Sequence, residues 1–199
     1  MINLSTKYMG FDLRNPIIAA SSGMTDTVEK VKNLNENGIG AVVLKSFFEE
    51  QIMMEIDEVA TSNIYNNYGD ADDYISYYTR KHNTDNYLRL IEQSKAQVDI
   101  PIIASLNCFS IGRWVNFAER MEAAGADALE LNMFVLPGDQ KFSGTEIEEI
   151  YFDIIRSVRK NTKLPIAVKL STYFSGMADS LIKISNEDIA SMVLFNRFY

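Results

Sequence analysis

The sequence has one cysteine, Cys108, and one histidine, His82, among 199 residues. A lone cysteine excludes an internal disulfide, which suits a reducing, cytoplasmic setting. His82, between Lys81 and Asn83, cannot build a metal site alone and reads as a solvated surface residue, so no metal is expected. Basic residues are few: 19 Lys and Arg against 27 Asp and Glu give a net charge of -8. That balance excludes the basic footprint of a nucleic-acid surface. No apolar run approaches the roughly 18 residues of a spanning helix. Met1 to Gly10 shows no charged segment leading into an apolar run, so neither a signal peptide nor a membrane partner is expected.

What is present is an apolar share of 47%, enough for one domain over residues 1–199 with a real core. Short apolar runs alternate with segments of helical period. Strands are predicted at Pro16 to Ala20, Ala41 to Lys45, Pro101 to Leu106, Ala128 to Asn132, Pro165 to Leu170 and Met192 to Phe195. Helices are predicted at Thr27 to Asn37, Asp85 to Val98, Arg113 to Ala124, Thr145 to about Lys160 and Met177 to Ile184. Asn37–Gly38 and Gly125 supply left-handed stops. Thr145 with Glu148 three residues later reads as a capping box. Glu146, Glu148 and Glu149 suit the helix dipole, and Trp114 and Phe117 read as packing residues.

Apolar strands, each followed by a helix, imply a parallel sheet covered on its faces. A dinucleotide-binding doubly wound sheet should carry G-x-G-x-x-G after its first strand, and Ser21-Ser22-Gly23-Met24 does not match. The α/β (β/α)8 TIM barrel is the better fit, and the expectation is a barrel truncated after its sixth strand, with strands seven and eight absent and Tyr199 as the last residue. The one long irregular stretch, Phe47 to Lys81, reads as a lid or disordered segment. Tyr74, Tyr77 and Tyr78 within it suit an interface patch or a cover for the barrel mouth.

Barrel sites lie at the C-terminal ends of the strands. The polar residues there are Ser21, Ser22, Lys45, Ser46, Ser105, Asn107, Glu130, Asn132, Lys169, Asn196 and Arg197. Lys45 and Lys169 each end an apolar run. Either they snorkel to the rim, or they aim two cations at an anionic ligand. A flavin suits such a rim, because its N1–C2=O edge becomes negative on reduction.

Five segments in order resemble the dihydroorotate dehydrogenase family. Asn15 to Gly23 is similar to the family's N-P-x-x-x-A-S-G strand and loop. Lys45-Ser46 resembles its Lys-Ser pair, Glu130-Leu131-Asn132 its E-L-N, Val168 to Phe174 its V-K-L-x-P-Y-F, and Asn196 its asparagine after strand six. The resemblance implies FMN as cofactor, held by Ala20, Ser21, Gly23, Lys45, Ser46, Asn132 and Lys169. It implies a small-molecule substrate held by Asn67, Asn132 and Asn196, and it allows a homodimer. It further implies oxidation of dihydroorotate or a related small cyclic substrate by hydride transfer to flavin N5, in pyrimidine biosynthesis. With no membrane-associating helix at the N-terminus, a soluble electron acceptor is expected rather than a quinone.

Three departures qualify that expectation. The family's Cys or Ser base after strand four is replaced by Met133-Phe134-Val135-Leu136-Pro137, so the catalytic base is unknown. Cys108 and Ser143 are the candidates to substitute for it. The family's N-x-M-G-L-x-N segment is replaced by Asn63, Asn66, Asn67 and Gly69 in another order. The family's phosphate-binding turns follow strands seven and eight, so flavin is expected to bind weakly or not at all. A diverged flavin oxidoreductase with another substrate, or an inactive barrel fragment without flavin, are the alternatives.

Overall fold

In the computed structural model the described residues are 2–48, 84–108, 110–135, 138 and 140–196. The chain starts with a hairpin, β1 (Thr6–Tyr8) and β2 (Phe11–Leu13), paired antiparallel with Tyr8 opposite Phe11. Its turn is Met9–Gly10, with φ of 50° and 88°. Two successive positive φ values make the two-residue turn whose twist matches antiparallel strands.

The main sheet then builds in chain order from β3 (Ile18–Ala19), β4 (Ala41–Val43), β6 (Ile102–Asn107), β7 (Ala128–Asn132), β8 (Ile166–Leu170) and β9 (Ser191–Leu194), all parallel. A short β5 (Phe47–Phe48) rejoins β6 after a break at residues 44–46. Helices α1 (Val28–Glu36), α2 (residues 84–97), α3 (Ile111–Ala123), α4 (Gly144–Asn161) and α5 (Met177–Ser185) lie between the strands. This is an α/β fold with a parallel sheet curled as a half-barrel. The six predicted strands are its six consecutive neighbours.

Side chains alternate between the two faces of each strand. The outward set, including Val42, Leu44, Ile102, Leu106, Leu129, Leu131, Ile166 and Val168, packs with Val31, Ile91, Trp114, Met121, Tyr151, Ile155 and Val158 of the helices. Burying each large side chain there stabilises the fold by about 1.5–3 kcal/mol. The inward set near the strand starts is a smaller cluster of Val43, Ile103, Ala128 and Ala167 around Met9 of the hairpin. The hairpin therefore plugs the interior beneath the site.

Local signals set the helix ends. Thr27 caps α1 through its side chain, and Gly38 (φ 86°) and Gly125 (φ 89°) follow α1 and α3 in the left-handed region. The expected capping box of α4 is corrected. Ser143 is the N-cap, with its reciprocal partner Glu146, while Thr145 already lies inside the helix. The earlier start is fixed by Gly144, where a Cβ would lie 2.6 Å from Ser175 Oγ. Glu148 is thereby free to accept from Ser175 N–H (3.1 Å) and Oγ–H (2.8 Å), tying down the loop after β8. Among the described residues no helix is long and apolar enough to cross a membrane.

Candidate functional site at the C-terminal ends of the strands

Above the apolar plug the inward positions turn polar. Ser105 lies opposite Glu130, and Asn132 opposite Lys169. Parallel register thus stacks hydroxyl, carboxylate, amide and ammonium on one face. Ser105, Glu130, Asn132 and Ser46 are all buried, so each needs a partner, and each has one.

Ser105 Oγ–H donates to Glu130 Oε1 at 2.9 Å. Ser105 and Ser46 hydroxyls lie 2.7 Å apart, and Ser46 and Ser21 hydroxyls 2.9 Å apart. Ser46 N–H also donates to Ser21 Oγ at 2.7 Å. Asn132 donates to Ser46 Oγ at 3.4 Å and accepts from Asn196 Nδ2 at 2.9 Å. Asn107 donates to the Asn132 carbonyl at 2.7 Å. Lys169 Nζ stands 3.8 Å from Glu130 Oε1, with side-chain exposures of 12% and 4%. Burial pushes the Glu130 carboxyl above its ordinary range, and the Lys169 charge pulls it partly back.

The break between β4 and β5 is what lets this chain of hydroxyls form. Where β6 has no strand backbone beside it, Tyr87 of α2 inserts its hydroxyl. It donates to Ser105 O and accepts from Ser105 N, both at 3.0 Å. Burial raises the Tyr87 phenol well above its usual range, so it stays neutral. The loop after β3 is pinned in turn by buried Thr25. Its Oγ1 donates to Ser22 O at 3.0 Å, and its carbonyl accepts from Lys45 N at 3.1 Å.

The structure brings Ser21, Ser46, Asn132 and Asn196 into one network, with Lys169 attached through Glu130. Lys45 stands at the same rim, exposed, and its ammonium has no hydrogen bond or ion pair among the described residues. Its charge reaches Asp26, whose carboxyl is lowered chiefly by the Lys30 hydrogen bond. Ala20 and Gly23 are exposed in the loop after β3, and Gly23 O accepts from Lys30 Nζ at 2.7 Å. Asn67, His82, Arg197 and the residues Tyr74, Tyr77 and Tyr78 lie outside the described residues.

The two candidate bases sit in unsuitable places. Cys108 is 8% exposed in the outward core, and burial pushes its thiol up to about 12. Ser143 Oγ accepts from Glu146 N–H (3.3 Å) and donates to Glu146 Oε2 (2.8 Å) as the helix cap. In the loop after β7, Met133 is buried and Phe134 is exposed, edge-on to Tyr173 with ring centroids 5.9 Å apart. Thr25 and Tyr87 were not singled out from sequence, and Ser105 and Glu130 were read there only as polar residues at strand ends, without their mutual bond. An acid within an apolar strand, in register with a serine, was the available signal.

Elsewhere, a cleft of about 480 Å³ runs between α4 and α5, on the helical side of the sheet. Its charged lining is paired internally: Arg156 binds Glu187 (2.6 Å) and Lys183 binds Asp179 (2.6 Å). It resembles a solvated groove more than a site.

Fold and site define an α/β half-barrel protein with a polar, ammonium-bearing site at the C-terminal ends of its strands. The family model for dihydroorotate dehydrogenase matches residues 3–197, and the chain belongs to that family. It is 29% identical to the catalytic subunit of dihydroorotate dehydrogenase B (NAD(+)) of Thermoplasma volcanium, over 98% of this chain and 62% of that protein. It is 25% identical to dihydroorotate dehydrogenase A (fumarate) of Lactobacillus delbrueckii subsp. bulgaricus, over 93% of this chain and 59% of the relative. The chain thus spans about three-fifths of the length of these relatives. Among solved structures, the dihydrodipicolinate synthase of Bacillus clausii superposes with a TM-score of 0.55 at 13% identity, covering 91% of this chain and 54% of that one. That of Agrobacterium tumefaciens gives 0.53 at 18% identity, covering 89% and 51%. At such identity the likeness speaks for the fold alone.

Proposed function

We propose that this chain carries the ring-binding part of an FMN-dependent oxidoreductase of the dihydroorotate dehydrogenase type, which oxidises dihydroorotate or a related small cyclic substrate. The observation that carries the reading is the convergence of Lys169, Asn132, Ser46 and Asn196 on one face, with Lys45, which has no ion pair among the described residues, at the same rim. The donor set fits a flavin ring. Ammonium, amide and hydroxyl groups match its carbonyl and imide edge, and the apolar layer beneath excludes water. Bound FMN would supply the hydride acceptor.

The other roles belong to the chain's own side chains. Lys45 and Ser46 would hold the ring, together with backbone from Ala20, Ser21 and Gly23. Lys169 would place positive charge where negative charge develops on reduction, a preorganised stabilisation of the kind that dominates many rate enhancements. Asn132 and Asn196, already bonded to each other, would orient substrate amide or carboxylate groups. Asn67 would add a further amide. One observation favours a diverged substrate: Phe134, an exposed aromatic edge-on to Tyr173, stands on the loop after β7, where the family carries its Cys or Ser base.

The test is fluorescence titration of FMN with the full chain, followed by anaerobic addition of dihydroorotate. Saturable quenching, weakened about tenfold in Lys45→Ala and Lys169→Met, is the expected result. That factor corresponds to about 1.4 kcal/mol. Bleaching of the flavin absorbance by dihydroorotate would identify the substrate. Bleaching only by other cyclic acids would favour the diverged reading. Absence of saturable binding would overturn the proposal.

A further inference from the structure

The three site serines form a directed chain. Each hydroxyl has a single proton. Ser105 spends its proton on Glu130 Oε1. Ser105 Oγ can therefore only accept from Ser46, 2.7 Å away, so Ser46 is the donor there. With its proton used, Ser46 must in turn accept from Ser21 at 2.9 Å. All three O–H bonds point inward. Ser21 Oγ receives the Ser46 N–H at 2.7 Å and keeps a lone pair, and Ser21 is half-exposed at the rim. The chain begins at a solvent-facing acceptor and ends on a carboxylate that is 3% exposed.

We infer that Ser21, Ser46 and Ser105 are a proton relay, and that Glu130 is the internal acceptor for a proton given up at the rim. The balance is simple. A proton bonds to Ser21 Oγ as the Ser21 proton passes to Ser46, the Ser46 proton to Ser105, and the Ser105 proton to Glu130 Oε1. Three hydroxyls reverse and one carboxylate becomes a carboxylic acid. The groups facing Glu130 suit that role. Among the described residues Lys169 on β8 is the one cation beside it, and Tyr87 on α2 and Tyr8 on β1 feel its charge while burial keeps both phenols neutral. When Glu130 takes the proton, Lys169 loses its counter-charge. An ammonium is released toward the rim at the moment a ligand there has become one unit more negative. Deprotonation and charge compensation are thereby one event.

The relay follows from the geometry, and its use in substrate oxidation rests on the proposed function. It also gives this chain a base where Cys108 and Ser143 do not serve. The test needs no flavin. The infrared carboxylic-acid band of Glu130 is assigned by its loss in Glu130→Gln, and its growth is followed after a rapid drop in pH. Wild type should protonate at least tenfold faster than Ser46→Ala, which interrupts the chain without touching Glu130, while both reach the same end point. Ser21→Ala, at the half-exposed end, provides the same test should Ser46→Ala fail to fold. Equal rates in wild type and in whichever interrupted variant folds would overturn the relay, whether or not FMN binds. A slowed variant in a chain that binds no FMN would keep the relay and discard the flavin reading.

Discussion

The outward and inward faces of the strands use alternate residues of one backbone, yet they are built from different materials. Outward, Leu106, Leu129, Leu131 and Val168 meet helices across a continuous apolar core. Inward, the same strands give Ser105, Glu130, Asn132 and Lys169, and their order is set by hydrogen bonds and one ion pair. The outward face holds the fold together, and the upper inward face holds groups ready for a ligand. The hairpin plug around Met9 divides the inward face into a lower structural half and an upper polar half.

The largest expected effect lies on the outward face. Leu131→Ala should cost about 2–5 kcal/mol of unfolding free energy, through lost transfer energy and a cavity, read as a lower denaturant midpoint. A loss below about 1 kcal/mol would mean that this face is not close-packed. Lys169→Met, on the inward face, should cost about 1–3 kcal/mol at neutral pH, because Glu130 is left buried beside Ser105 alone. The sign with pH is distinctive. Glu130 titrates above its ordinary 4.5 in the folded state, so the folded chain binds its proton more tightly than the unfolded one. Its contribution to stability is full below that ordinary value and is lost as pH rises through the raised one. The deficit of Lys169→Met should therefore shrink as the solution is acidified. A deficit that grew on acidification would contradict the burial of Glu130.

Much of this contrast was legible in the sequence. Runs such as ALELN and PIAVKL announce buried strands, and the polar residues within them announce the site. The connection between them was less legible. Ser105 and Glu130 become neighbours only through the register of β6 on β7, and Tyr87 reaches Ser105 only because the strand breaks after β4. The hairpin was missed because its turn, Met9–Gly10, has one glycine where two positive φ values are needed. The α4 cap was misplaced because Ser143–Glu146 and Thr145–Glu148 share one spacing, and the close approach of Gly144 to Ser175 decides between them.

Two smaller effects sharpen the same contrast. Ser143→Ala should cost about 1 kcal/mol as the loss of a cap, whereas Thr145→Ala should stay within about 0.5 kcal/mol. Thermal melts of both variants check this, and the reverse order would restore the later helix start. Cys108, with its thiol raised to about 12, should resist an aromatic disulfide reagent at pH 8 until the chain unfolds. Rapid labelling of the folded chain would place it near the rim instead.

The most direct measurement is a nuclear magnetic resonance titration of the isotopically labelled full chain with FMN. Saturable shifts should concentrate at Ser21, Lys45, Ser46, Asn132 and Lys169, while outward residues such as Leu129 and Val168 stay still. Shifts confined to the cleft between α4 and α5, or no saturable shift at any residue, would contradict the assignment of the inward face as the ligand site.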